Sequence, residues 1–253
     1  MDKSQNKIKT FLTDLFFPKF CLGCQKEGIY LCDDCRALLE ISEFNYCLCE
    51  SKGAPKRLMT NPSIKEQVGK CNKCQDKKLA GLFFALPYKE KPLTKKLIYQ
   101  FKYAPYLKDL AKTLASILVE HLVLTEKNTD KIWKNSILVP VPLDIEKLKN
   151  RGYNQSEELA NELSKIINVP VVSNVLIKIK HTDSQMKLKK HEREKNVEGA
   201  FMVKKPFDFA QGKKIFLVDD VYTTGSTMQE CARVLRDAGA KTVWGICLAR
   251  EEL

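Results

Sequence analysis

The sequence predicts an α/β fold: a parallel sheet with helices on both faces, preceded by a small cysteine-rich zinc module. Three observations predict it. From Gly81 onward, near-continuous apolar runs alternate with stretches of helical periodicity, the pattern of strands buried on both faces and joined by crossover helices. Eight of the ten cysteines precede Gln75, while Cys231 and Cys247 stand alone in apolar or helical surroundings. That asymmetry divides the chain into residues 1–80 and 81–253. A length of 253 residues is enough for a core domain plus a satellite.

Taken in order, "GLFFALPY" (81–88) reads as a strand, "PLTKKLIYQFKY" (92–103) as a helix, and "YLKDLAKTLASILVEHLVL" (106–124) as a second helix with apolar residues at helical spacing. "SILVPVPL" (136–143) is a strand and "NQSEELANELSKIIN" (154–168) a helix, with Asn154 as cap and Glu157 in the position of a capping-box partner. "VPVVSNVLIKIK" (169–180) and "KIFLVDD" (214–220) follow as strands, "TMQECARVLRDAGA" (227–240) as a helix ending at Gly239, and "KTVWGICLA" (241–249) as the last strand. Ligands on such sheets bind at the carboxyl ends of the strands.

Before residue 80 the chain is rich in Cys, Lys and turn formers and lacks sustained periodicity. Its cysteines fall into "CLGC" (Cys21, Cys24) with "CDDC" (Cys32, Cys35), and "CLC" (Cys47, Cys49) with "CNKC" (Cys71, Cys74). Zinc takes four thiolates tetrahedrally, and a two-residue gap lets both sulfurs of a tight turn face one ion. Free or redox-active thiols are the alternative, and paired C-x-x-C turns argue against them. The one-residue gap between Cys47 and Cys49 is less usual for a zinc knuckle. Consecutive and interleaved pairing both remain open. With no ligand position left over for a water, the zinc is expected to be structural.

A net charge of +12 points to an anionic partner, whether nucleic acid, phosphorylated substrate or acidic lipid. No signal peptide is recognisable in "MDKSQNKIKTFLTDLFFPKF", and the most apolar helical stretch is interrupted by Lys108, Asp109, Lys112, Glu120 and His121. The expectation is a cytoplasmic protein without a transmembrane segment. The apolar cluster Phe11, Leu12, Leu15, Phe16 and Phe17 reads as packing on a neighbouring domain, with peripheral contact at the inner membrane face as the alternative.

The run "IFLVDDVYTTGST" (215–227) ends a strand on two acids and follows them with hydroxyls around one glycine. Thr223, Thr224, Ser226 and Thr227 offer hydroxyls, Gly225 permits a tight turn, and the helix that follows points backbone amides into the loop. These are the parts of a phosphate cradle. Asp219 and Asp220 cannot bind phosphate by charge, so they suit the vicinal hydroxyls of a sugar or a divalent cation. A phosphate beside a diol describes a ribose phosphate. A plain helix cap explains one or two of these residues but not both acids and four hydroxyls.

"FLVDDVYTTGST" closely resembles the ribose 5-phosphate loop of type I phosphoribosyltransferases. The order of features resembles the ComF family of competence proteins over nearly the full chain: a cysteine module, "FKY" (101–103), "VPVPL" (139–143), "RGYNQ" (151–155), "REKNVEGAF" (193–201) and the ribose loop. The resemblance implies the type I phosphoribosyltransferase fold, with Asp219 and Asp220 as catalytic acids on the ribose hydroxyls, directly or through a magnesium-bound substrate. It implies that Asp219, Asp220, Val221, Tyr222, Thr223, Thr224, Gly225, Ser226 and Thr227 bind the ribose phosphate. Pyrophosphate would meet the segment after "VPVPL", with Lys147, Lys149 and Arg151, and "HTDSQMKLKKHEREKNVEGAF" (181–201) sits where the family's hood lies. Family members often carry Arg before the Thr that Thr182 matches, whereas His181 stands here. "EKLKNR" and "MKLKKHEREK" have the plainer reading of solvated helix or loop faces.

Phosphoribosyl transfer needs orientation of the donor, cations on the leaving group and exclusion of water, with no protein nucleophile. His121, His181 and His191 are too scattered for a triad. Two expectations follow from the resemblance. One is a phosphoribosyltransferase or binder of phosphoribosyl pyrophosphate acting in natural competence. The other is a non-catalytic protein that keeps the ribose loop and uses its zinc module and basic face on single-stranded DNA or competence partners. Tyr103, Tyr106 and Tyr153 could stack on bases, although packing on the sheet edge is the commoner use.

Overall fold

The computed structural model describes residue 16 and residues 18–43, 47–48, 74–125, 132–180, 190–204 and 212–251. A short helix α1 (Asp33–Ala37) lies among the first cysteines. There follow β1 (Leu82–Pro87), α2 (Pro92–Lys102), α3 (Leu110–Thr125), β2 (Ser136–Pro140), α4 (Ile145–Arg151), α5 (Gln155–Ile167), β3 (Leu176–Lys178), α6 (Lys190–Val197), β4 (Phe201–Val203), β5 (Lys214–Tyr222), α7 (Ser226–Asp237) and β6 (Thr242–Arg250). Strands β1, β6, β5 and β2 form one parallel sheet in that order. Strands β3 and β4 pair antiparallel in a separate ribbon.

Period-two alternation along each strand sorts side chains between the faces. Phe216 and Val218 of β5 join Leu138, Phe83, Ile246 and Leu248 under α2, α3 and α5. Ile215 and Leu217 join Ile137, Val139, Leu82, Phe84 and Val243 under α7 and the ribbon. This two-sided burial explains the near-continuous apolar runs. The cysteine-rich segments reach both faces as well: Cys21, Leu22, Leu31, Cys32 and Cys35 pack into the first layer, and Cys47, Leu48, Cys74 and Leu79 into the second.

Two elements depart from the periodicity. Residues 169–180 are not one strand: Val171 makes a parallel bridge to Leu138, and the chain then turns through Ser173 and Asn174 into β3 of the other ribbon. Helix α3 begins at Leu110 rather than Tyr106, because residues 103–108 are held in turns by bonds such as Leu107 N to Gln100 O at 2.9 Å. Strand β4 and helix α4 have no apolar periodicity long enough to announce them. Asn154 does cap α5, but its side-chain oxygen accepts from Ser156 N at 3.1 Å, one residue short of the capping-box bond.

The first cysteine segment is fixed to α3. Arg36 donates from Nη2 and Nε to Glu120 Oε2 at 2.6 and 3.2 Å and from Nη1 to Ser116 Oγ at 2.8 Å. Ser42 N donates to Ala85 O at 2.8 Å, and Ser42 O meets His121 Nδ1 at 2.6 Å. Of the N-terminal apolar cluster only Phe16 is described, and it is exposed. Among the described residues no helix is long and apolar enough to cross a membrane.

Candidate functional site: an acid pair, a phosphate turn and a thiol cluster

Strand β2 runs beside β5 in the register Pro140 to Val218, so the chain leaves β2 just where β5 reaches its acids. Asp219 Oδ1 accepts from Ser156 Oγ and from Asp220 N, each at 2.9 Å. Ser156 lies in the first turn of α5, where the Asn154 cap fixes it. Asp220 is buried, and its Oδ1 lies 2.8 Å from Nζ of Lys102, the last residue of α2. Its other oxygen is buried without a hydrogen-bond partner, a costly state for a carboxylate unless something arrives to satisfy it.

Burial, with the adjacent Asp220 charge, pushes the Asp219 carboxyl up to about 7 against the opposing pull of Lys102 and Ser156. Burial works to lower the Lys102 ammonium, but the Asp220 carboxylate outweighs it and holds the group above its ordinary value. The site therefore keeps one fixed cation beside two acids that resist being ionised together.

The turn that follows depends on Gly225. Its φ is +78°, and a Cβ there would stand 2.1 Å from the Tyr222 hydroxyl, so both backbone and space require glycine. Thr224 Oγ1 and Ser226 Oγ are 2.8 Å apart, and Gly225 brings no side chain to cap α7. Ser226 N reaches Thr224 Oγ1 at 3.4 Å, and a helix N-terminus flanked by such hydroxyls is suited to an anion.

The motifs around the acids have geometric jobs. In "RGYNQ", Arg151 donates to Gln155, Tyr153 Oη donates to Phe101 O at 2.5 Å, and Asn154 Nδ2 donates to Val141 O at 3.0 Å. The motif thus ties the ends of β2 and α2 to α5, and the "FKY" segment carries Lys102 to the acids. Tyr153 is buried, so it does not stack on a base, whereas Tyr103 and Tyr106 are exposed. Of the expected pyrophosphate residues, Lys147 and Lys149 are exposed and Arg151 half-buried on α4. Asp144 caps α4 through Glu146 N at 3.1 Å and lies 3.7 Å from Lys178 of β3. Lys102 and Ser156 carry no signal of their own in the sequence; only their places in or beside the two motifs could have marked them. His181 and Thr182 lie outside the described residues.

The thiols of Cys21, Cys24, Cys32 and Cys35 lie within 4.8 Å of one another, with Cys21 to Cys32 at 3.6 Å and Cys24 to Cys32 at 3.5 Å. Tetrahedral zinc with bonds of about 2.3 Å spaces its sulfurs by about 3.8 Å, so the cluster fits. The first two pairs combine consecutively. Gly23 lets them close, since a Cβ there would meet Cys35 Sγ at 2.4 Å. Burial raises the Cys21 thiol, but backbone amides of Cys32, Cys24 and Gly23 outweigh it and bring the group to about 6. In the second set Cys47 and Cys74 are 3.5 Å apart; Cys49 and Cys71 lie outside the described residues.

The family model for the phosphoribosyl transferase domain matches residues 150–252, which hold the acids, the turn and all of "RGYNQ". The chain is 33% identical to "Competence protein F" of Haemophilus influenzae over 156 residues, 60% of this chain and 67% of that protein. It is 29% identical to "DNA utilization protein YhgH" of Salmonella typhi over 224 residues, 87% of this chain and 96% of that one. It is also 39% identical to "Competence protein ComFC" of Bacillus subtilis over 106 residues, 42% of this chain and 40% of that one. With a cysteine cluster ahead of a phosphoribosyltransferase-type parallel sheet, and the family's motifs converging on one acid pair, the chain belongs to the ComF family.

Proposed function

We propose that this protein binds phosphoribosyl pyrophosphate, or a closely related ribose 5-phosphate, and acts in the handling of incoming single-stranded DNA. The observation that carries the reading is the Asp220 carboxylate, one oxygen on Lys102 and the other buried without a partner, beside a glycine turn that carries hydroxyls. Asp219 and Asp220 accept from the ribose hydroxyls, and Thr223 to Thr227 with the α7 amides hold the 5-phosphate. Lys147, Lys149 and Arg151 on α4 face the pyrophosphate. Mg2+ arrives with the substrate and neutralises its diphosphate charge. Lys102 keeps the two acids from repelling the negative charge of the ligand. The four-thiol cluster holds structural zinc, as does the second cysteine set.

Such a site favours loss of pyrophosphate by orientation and charge alone, because positive charge developing at the anomeric carbon is stabilised by the adjacent carboxylates. The DNA part of the reading is drawn from the names of the relatives and from the net charge of +12. It makes this a cytoplasmic protein working where strands leave the membrane. Titration calorimetry with phosphoribosyl pyrophosphate and Mg2+ tests the ligand: saturable binding is expected, and Asp219→Ala with Asp220→Ala abolishes it in a folded protein. Equal binding by the double variant rules out the site. Pyrophosphate release with candidate acceptors then tests turnover.

A second reading, a non-catalytic strand-binding protein, is favoured by one observation. The rings of Tyr99 and Tyr103 pair at 4.9 Å on an exposed surface next to Lys102, a combination suited to stacked bases. It requires affinity for single strands that falls steeply with salt, and no binding at low salt removes it.

A further inference from the structure

Arg250, at the end of β6, is 1% exposed. A buried guanidinium needs a reason, because an apolar side chain of similar volume fills such a place without desolvating a charge. Its Nη1 donates to Cys47 O at 2.8 Å. Its guanidinium carbon lies 5.7 Å from the ring centres of both Phe84 and Tyr222, so the cation holds two aromatic faces at once. Tyr222 is the residue before the phosphate turn, and its hydroxyl fills the space that a Cβ of Gly225 would need. A continuous contact path therefore runs from Cys47 through Arg250 and Tyr222 to the centre of the turn.

A second path reaches the turn from the helix side. Just after Cys74, the amides of Lys78 and Leu79 both donate to Gln229 Oε1, at 2.7 and 3.2 Å. Gln229 belongs to the first turn of α7, and its own N–H closes on Gly225 O at 2.8 Å. Cys47 and Cys74, which begin the two paths, have their sulfurs 3.5 Å apart. Both flanks of the turn are thus touched by the short segments that carry this thiol pair.

We propose that Arg250 is a positioning residue that couples the Cys47–Cys74 pair to the phosphate turn, so that ribose-phosphate affinity follows the state of that pair. The inference rests on the ribose-phosphate reading for its ligand but not for its geometry. Arg250 acts through Tyr222, and the cysteines act through Arg250 and Gln229.

The test is a double-mutant cycle in the full-length protein, using ribose 5-phosphate as probe and circular dichroism to select folded variants. Cys74→Ser and Arg250→Lys each raise Kd roughly tenfold, and the combined variant binds no worse than the weaker single one. A merely structural role for each residue predicts that the two losses multiply, and that result overturns the proposal, as does an unchanged Kd in Arg250→Lys. Hydrogen exchange of the amides of residues 223–227 reads the coupling without ligand. It quickens in both variants, quickens no further in the pair, and is unchanged across α4. If the wild-type protein binds no ribose 5-phosphate, the ribose reading fails and the exchange data still decide the coupling. Should Cys74→Ser not fold, unchanged exchange in Arg250→Lys is enough to reject it.

Discussion

Two clusters of ionisable side chains, the first four thiols and the acid pair, differ in what they leave unsatisfied. The thiols lie within 4.8 Å of one another, with backbone amides such as Cys32 N reaching Cys21 Sγ at 3.4 Å. A tetrahedral ion such as zinc would complete that set. The acids are held apart instead: Asp219 turns to Ser156, Asp220 turns to Lys102, and one buried carboxylate oxygen has no partner. A permanent ligand suits a closed set and an exchangeable ligand an open one, so under the proposed reading the module serves the fold and the strand end binds the ligand.

The largest effect is expected from breaking the closed set. Structural zinc in small modules carries about 10–16 kcal/mol of binding free energy, and Cys32→Ser removes a central ligand. Loss of metal by elemental analysis, with Leu22 and Leu31 exposed and the segment around α1 opened to protease, is the expected outcome. A metal-free variant as protease-resistant as wild type would remove the structural role. The open set should fail differently. Asp219→Asn with Asp220→Asn preserves shape but loses charge-assisted hydrogen bonds to the ribose, about 3 kcal/mol or roughly 100-fold in affinity. Binding lost while the metal and the protease resistance around α1 are kept separates the two clusters; joint loss would merge them.

A smaller effect sharpens the turn. Gly225→Ala places a side chain at φ +78° against the Tyr222 hydroxyl, and a destabilisation of about 1–3 kcal/mol is expected from strain plus clash. Adding Tyr222→Phe removes the oxygen but leaves the ring carbons Cζ and Cε2 at 2.3 and 2.7 Å from the new Cβ, so it restores only a small part of the loss. Denaturant melts of the two variants measure the split, and no recovery in the double variant would mean that the Tyr222 hydroxyl does not set the turn.

How much of this could be read from the residues follows the length of each signal. The parallel sheet was legible because strands such as β5 are buried on both faces, and its acids stand at the end of an unbroken apolar run. The glycine turn at 223–227 was legible because its residues are contiguous. Lys102 and Ser156 were not, since one is a lysine among many in a basic chain and the other a serine after a helix cap; only the meeting of α2, α5 and β5 brings them to the acids. Arg250 likewise reads as an ordinary charge after the last strand, and its burial depends on a carbonyl some two hundred residues earlier in the chain. The pairing of Cys21 and Cys24 with Cys32 and Cys35 was undecidable from spacing, because consecutive and interleaved sets share the same gaps.

The smallest effect is in the pH dependence, where the acid pair meets a second buried group. Asp219 has a folded pKa of about 7 against an ordinary 3.8. Between those values the folded state holds the extra proton, so its contribution to stability is complete below 3.8 and is lost as pH rises to 7. His121, which contacts Ser42 O and lies near the Phe83 and Phe84 rings, is the reverse case. Burial lowers it to about 4 from an ordinary 6.5, so its contribution is complete above 6.5 and is lost as pH falls to 4. Across the shared window the two slopes oppose each other. Relative to wild type, Asp219→Asn should make stability fall more steeply towards low pH, and His121→Leu should make it fall more steeply towards high pH. Urea melts between pH 4 and 7 measure both tilts. A stability difference from wild type that stays constant with pH in either variant would show that the corresponding group titrates alike in the folded and unfolded chain.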